Sequence, residues 1–126
     1  FENIVSLFYN KSKLKSKLNN IYNNINIPID SFYIGTYYLS KYYNSSNNSN
    51  NYLLEDINNY VIASIILANK QLLDCFDVKI FCKLINFNFD LFCTIELDIL
   101  NTINWDTYYD NQEYLKFKNL LEHYMD

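Results

Sequence analysis

One glycine, one proline and three cysteines serve all 126 residues of this chain. Each scarcity excludes something. An all-β sandwich needs many turn residues, and a doubly wound α/β domain needs glycines at its βα turns, so an all-α domain is expected instead. A single glycine also excludes a Gly-rich phosphate loop. Cys75, Cys82 and Cys93 are an odd number without CxxC spacing, which argues against a disulfide framework or a zinc site. Small, buried, reduced thiols are the expectation, with a nuclear or cytoplasmic address. No apolar run reaches the roughly 18 residues of a membrane span, and no signal-type leader is visible. The chain opens abruptly at Phe1, as a fragment of a longer protein would.

Basic charge is also short. Ten Lys and Arg face fourteen Asp and Glu, giving a net charge of -4 and a pI near 4.8. A nucleic-acid platform would carry a basic stripe, so that class of partner is disfavoured. The local cluster Lys11, Lys13, Lys15 and Lys17 spreads around a helix at every second residue and reads as a solvated surface. Chemistry-bearing groups are equally sparse. His123 stands alone, without an acid or thiol at ligand spacing, and reads as a surface histidine. Asp74, Asp77, Asp90 and Asp98 read as helix caps or solvated charges rather than an acid–base pair. No nucleophile–base constellation or metal cluster is present, so the chain is expected not to be an enzyme, and no cofactor is expected.

What the chain does have is apolar bulk. Half of it is hydrophobic, enough for one domain with one core spanning residues 1–126. Asn, Tyr, Ile and Lys are heavily used, a bias typical of AT-rich codons, so counts of Tyr and Asn carry little chemical meaning by themselves. Helical spacing of apolar residues predicts a first helix over residues 1–24 and a second from about 30 to 43, with Asp30 and Ser31 available as N-caps after Pro28. Phe32, Ile34, Tyr38, Leu39 and Tyr42 are its expected buried positions. Gly35 lies inside it, where glycine costs up to about 1 kcal/mol relative to alanine, so close approach of a neighbouring helix is the expected reason. An Asn/Ser loop insertion follows at 44–51.

The next segment, 52–73, is apolar on nearly all sides in its second half, the mark of a helix surrounded by others. Its β-branched residues would also permit a buried strand, but length and the lack of turn signals favour helix. Asp77 is placed to cap a short helix over 78–85. Asp90, or Asn88 before it, opens a helix to about 104. A last amphipathic helix over 112–124 is expected on Tyr114, Leu115, Phe117, Leu120 and Leu121.

Two charges interrupt the apolar stripes. Lys70 closes the run that begins at Val61, on a face with Ile66, Leu67 and Leu73. Glu96 interrupts the run from Phe89, on a face with Phe92 and Leu100. A charge inside an apolar stripe is unfavourable unless something pairs with it, so each needs a partner. The pair could be an ordinary salt bridge between two helices or a contact for another protein, and the two are compatible.

The pattern resembles the cyclin box. Leu67-Ala-Asn-Lys70 is similar to the LLASK ending of that family's third helix, with Asn69 in place of Ser. The stretch from Thr94 through Glu96, Leu100 and Trp105 to Asp106 resembles the fifth helix and its exit, an E-x-x-x-L core followed by an aromatic–Asp pair. Tyr38-Leu39-Ser40-Lys41 lies where the second helix reads Y-I-D-R. The box proper would cover residues 28–106, and a single box with flanking helices is similar to the phosphate-pathway (P-type) cyclins. The chain departs from the family at Ser40, where an acid pairs with an Arg of the first helix; no Arg occurs there in this chain. The first helix also lacks the Met-Arg-Ala-Ile-Leu motif, which puts RxL-type substrate docking in doubt.

The resemblance implies a five-helix bundle around a buried central helix and a non-catalytic regulator of a cyclin-dependent protein kinase. Lys70 and Glu96 would hydrogen-bond to the kinase backbone, with Leu67, Gln71, Leu100 and Trp105 on the same contact surface. An ammonium supplies donors and a carboxylate supplies acceptors, so together they suit a backbone with both. A cyclin-fold scaffold or transcription-factor-like adaptor that binds no kinase is the second reading, weakened by the acidic pI.

Overall fold

A computed structural model describes residues 28–45 and 54–125. The expected first helix, its lysine cluster and most of the Asn/Ser tract lie outside the described residues. Five helices and no strand occur among those described: α1 (Ile29–Ser45), α2 (Leu54–Leu72), α3 (Val78–Leu84), α4 (Phe89–Thr102) and α5 (Asn111–Met125). The all-α class expected from the sequence is what the described residues form.

The core is organised on α2. Every residue from 61 to 69 is buried, including Ser64 and Asn69. Full burial of an Ile or Val contributes about 2 kcal/mol, so the cluster Val61, Ile62, Ile65 and Ile66 is a large share of the stabilisation. α1 packs along α2 most extensively, α4 contacts both, α3 leans on α4, and α5 covers α1. Phe32, Ile34, Tyr38, Leu39 and Tyr42 are all buried, as their spacing predicts.

Gly35 sets the spacing of α1 and α2. A Cβ there would stand 2.7 Å from both Ile65 Cα and Ser64 O, closer than real atoms approach. The helix-weakening residue therefore permits backbone-to-backbone contact at the centre of the bundle.

The helix ends show how a glycine-poor chain closes its turns. Asp77 caps α3 by accepting from Ile80 N, and Asn88 caps α4 by accepting from Leu91 N at 2.9 Å. At the other ends, Asn86 and Asn104 take left-handed φ of 58°, where glycine is the usual choice. Phe87 N–H then donates to Cys82 O, and Trp105 N–H to Leu100 O, each at 2.8 Å. These are Schellman closures built on asparagine.

Several expectations need correction. Asp30 and Ser31 do not cap α1, which begins at Ile29; the Ser31 hydroxyl is buried and donates to Asn69 Oδ1 at 2.8 Å, and Asp30 accepts from the Tyr114 hydroxyl. Asp98 is neither a cap nor a solvated charge, because the hydroxyls of Tyr42 and Tyr60 both donate to its Oδ2, at 2.7 and 2.5 Å. Leu115 is 52% exposed, since α5 turns Phe117 to the core instead. Cys75 is exposed in the α2–α3 connection, whereas Cys82 is buried and Cys93 half-buried.

The candidate partner-binding face

α2 leaves the core at Lys70. Asn69 is fully buried and Lys70 is exposed, so one residue carries the chain from interior to surface. As the basic residue of the last turn, Lys70 also sits favourably against the negative end of the helix dipole. Its Nζ donates to Glu96 Oε2 on α4 at 3.1 Å. The side chains are 48% and 15% exposed, so the carboxylate is sunk at the rim and the ammonium stands above it. The lysine keeps donor capacity beyond this one bond.

Of the other residues singled out by sequence, Gln71 and Trp105 are exposed, whereas Leu67 and Leu100 are 2% and 6% exposed. The two leucines are packed in the core and offer a partner little surface. Trp105 is 60% exposed, so the only tryptophan is not a core cap. Its Nε1–H donates to Asn101 Oδ1 at 3.0 Å, and its φ is 59°. A bulky residue in the left-handed region is strained by about 1–2 kcal/mol. The structure brings Lys70 and Glu96 together directly and Trp105 onto the exit of the same helix α4.

Two α1 residues hold this arrangement. The Tyr38 hydroxyl donates to Gln71 Oε1 at 2.7 Å and lies 3.3 Å from Thr107 O, bringing the end of α2 close to the loop after α4. Burial pushes the Tyr38 phenol up to about 12, with Tyr109 nearby adding to the shift. Lys41 Nζ donates to the carbonyls of Asp106 and Tyr108 at 3.1 and 3.0 Å, and pairs with Asp106 Oδ2 at 3.4 Å. Sequence reasoning missed both roles. The receiving groups are mostly loop carbonyls, which leave no trace in side-chain patterns. Asn104 next to Trp105 was a legible signal of a left-handed helix end.

Ser40 is fully buried, and its hydroxyl has no hydrogen-bond partner among the described residues. No three His, Cys, Asp or Glu side chains among the described residues are grouped to hold a metal, and no described helix is long and apolar enough to cross a membrane.

No family model, curated protein or solved structure matches the chain.

Proposed function

We propose that this chain is a cyclin-like regulatory subunit, similar to the single-box P-type class, that binds a cyclin-dependent protein kinase and activates it. The observation that carries the reading is the Lys70–Glu96 pair: two charges on separate helices, 26 residues apart in sequence, side by side at the surface. The buried central helix and the exposed Trp105 at the α4 exit support it. Exposed tryptophan beside polar groups is a common composition of interface hot spots.

In this reading the pair bonds to kinase backbone next to the kinase's mobile regulatory helix. Binding one position of that helix better than another shifts its population. The helix carries the Glu that must meet the kinase Lys for phosphate alignment, so activation needs no catalytic residue from this chain. The test is a pull-down from cell extract with the purified chain, followed by kinase assay of the bound fraction. A cyclin-dependent kinase whose activity rises with the chain present is the expected result. Recovery of the same kinase, equally active, with the Lys70→Ala/Glu96→Ala chain would overturn the assignment of the contact.

A further inference from the structure

The outer face of α3 carries apolar surface that neither the core nor the Lys70–Glu96 contact uses. Phe81 and Cys82 face inward, while Ile80 is 58% and Leu84 69% exposed. One helical turn apart, they are neighbours on one face. Leu73, at 38% exposed, joins them around a depression of ≈ 540 Å³, floored by Phe76 and Phe81. The patch therefore holds a hollow and, at its edge, apolar side chains of the kind that fill one.

Lys79, near the start of α3, stands over the Phe89 ring of α4, 5.4 Å from its centroid; the other charges bordering the patch are separated by sign. Asp74 and Asp77 lie before the start of α3, and Lys83 lies in its last turn. All three are exposed. Neither Asp74 nor Lys83 has an ion-pair partner among the described residues. Two copies of α3 packed antiparallel about a two-fold axis would set Lys83 of each against the acids of the other. The same operation brings each Leu84 to the partner's hollow beside Leu73. Parallel packing would oppose like charges. A surface complementary to itself under a two-fold rotation is what an isologous contact requires.

We propose that α3 and the end of α2 form a self-association surface, whose occupant is a second copy of this chain. The patch is small, so association is weak and concentration-dependent. Sedimentation velocity on the full chain tests this, with reductant present so that exposed Cys75 forms no disulfide. The mean mass should climb toward twice the monomer between about 1 μM and about 1 mM, the range of weak protein contacts. Leu84→Glu and, independently, Ile80→Ser should each stay monomeric with an unchanged helical CD spectrum; both positions are exposed, so the fold is retained. Lys83→Glu should weaken association about tenfold, and adding Asp74→Lys to that chain should restore it. A wild-type chain monomeric at every concentration would assign the patch to a different protein and overturn the proposal. Association indifferent to both apolar variants would overturn it too, by placing the contact elsewhere.

Discussion

Lys70 Nζ lies 3.1 Å from Glu96 Oε2, joining the last turn of α2 to the middle of α4 across a half-exposed rim. Exposed ion pairs contribute about 0–1 kcal/mol to a fold. Lys70→Ala should therefore leave the thermal midpoint within a few degrees of wild type. Kinase binding, if the pair contacts kinase backbone, should weaken by about 2–5 kcal/mol, because a buried polar contact loses one partner. Thermal denaturation and titration calorimetry with the recovered kinase read the two quantities separately. A stability loss with binding untouched would reduce the pair to an internal bridge.

Trp105 separates stability from function in the opposite direction. Its φ of 59° is the left-handed region that glycine occupies freely, and its ring is mostly exposed. Trp105→Gly should leave urea stability equal or raise it by up to about 1 kcal/mol, offset in part by the lost bond to Asn101. If the proposed kinase contact holds, the same variant should weaken it. A large fall in stability would mean that the indole has a packing role its exposure does not suggest.

The fold was legible where period and length agree. Residues 61–69 are apolar on almost every side and are buried on every side, and Asp77 sits at the cap its position predicts. The site was legible as residue types: Lys70 and Glu96 were two charges on apolar stripes, and the structure pairs them. What could not be read was everything held by backbone carbonyls and tyrosine hydroxyls. Lys41 reaches carbonyl oxygens 65 and 67 residues away in sequence, and no side-chain pattern encodes those acceptors. The tyrosines, discounted as codon bias, make bonds from α1 to every helix but α3: Tyr37 to Glu113, Tyr38 to Gln71, Tyr42 to Asp98. Their number is compositional, but their hydroxyls are used. Leu67 and Leu100 show the converse, since an apolar residue on a helical face looks the same in sequence whether a neighbouring helix or another protein covers it.

Gly35 faces backbone, not side chain, across the α1–α2 contact. Gly35→Ala would gain about 1 kcal/mol of helix propensity. Ile65 Cα and Ser64 O cannot rotate away from the new methyl, so the helices must separate and loosen the packing on both sides. Overpacking of this kind typically costs about 1–3 kcal/mol. The expected result is a net loss, seen as a lower urea midpoint at unchanged slope. An alanine variant more stable than wild type would show that the close approach is not maintained.

Ser40 makes the reverse case. Its hydroxyl is buried without a partner among the described residues, and a buried unsatisfied polar group costs roughly 1–3 kcal/mol. Ser40→Ala removes the group with little change in volume and should stabilise the fold by about 1 kcal/mol. Ser40→Asp should instead destabilise strongly by placing an uncompensated charge in the core. Chemical denaturation of the two variants decides it. Equal or lower stability of the alanine variant would mean that the hydroxyl is satisfied after all.

The buried tyrosines give the fold an alkaline limit. Burial raises the Tyr38 phenol from 10.0 to about 12. Tyr37 and Tyr114 are pushed up as well, by burial first and then by the carboxylates that accept their hydrogen bonds, Glu113 and Asp30. In each, the folded state holds its proton more tightly than the unfolded chain. The stabilisation is therefore complete below the ordinary value of 10.0 and is lost as pH rises through the raised folded values. For Tyr38 alone the shift corresponds to roughly 2–3 kcal/mol at full loss. Phenolate absorbance and circular dichroism followed together should show the buried tyrosines ionising only as the helices melt, above pH 10. Tyr38→Phe should shift that transition to higher pH, since it removes a group whose ionisation drives unfolding. Smooth ionisation of all tyrosines near their ordinary value, with the helices intact, would show that the hydroxyl network does not hold the bundle closed.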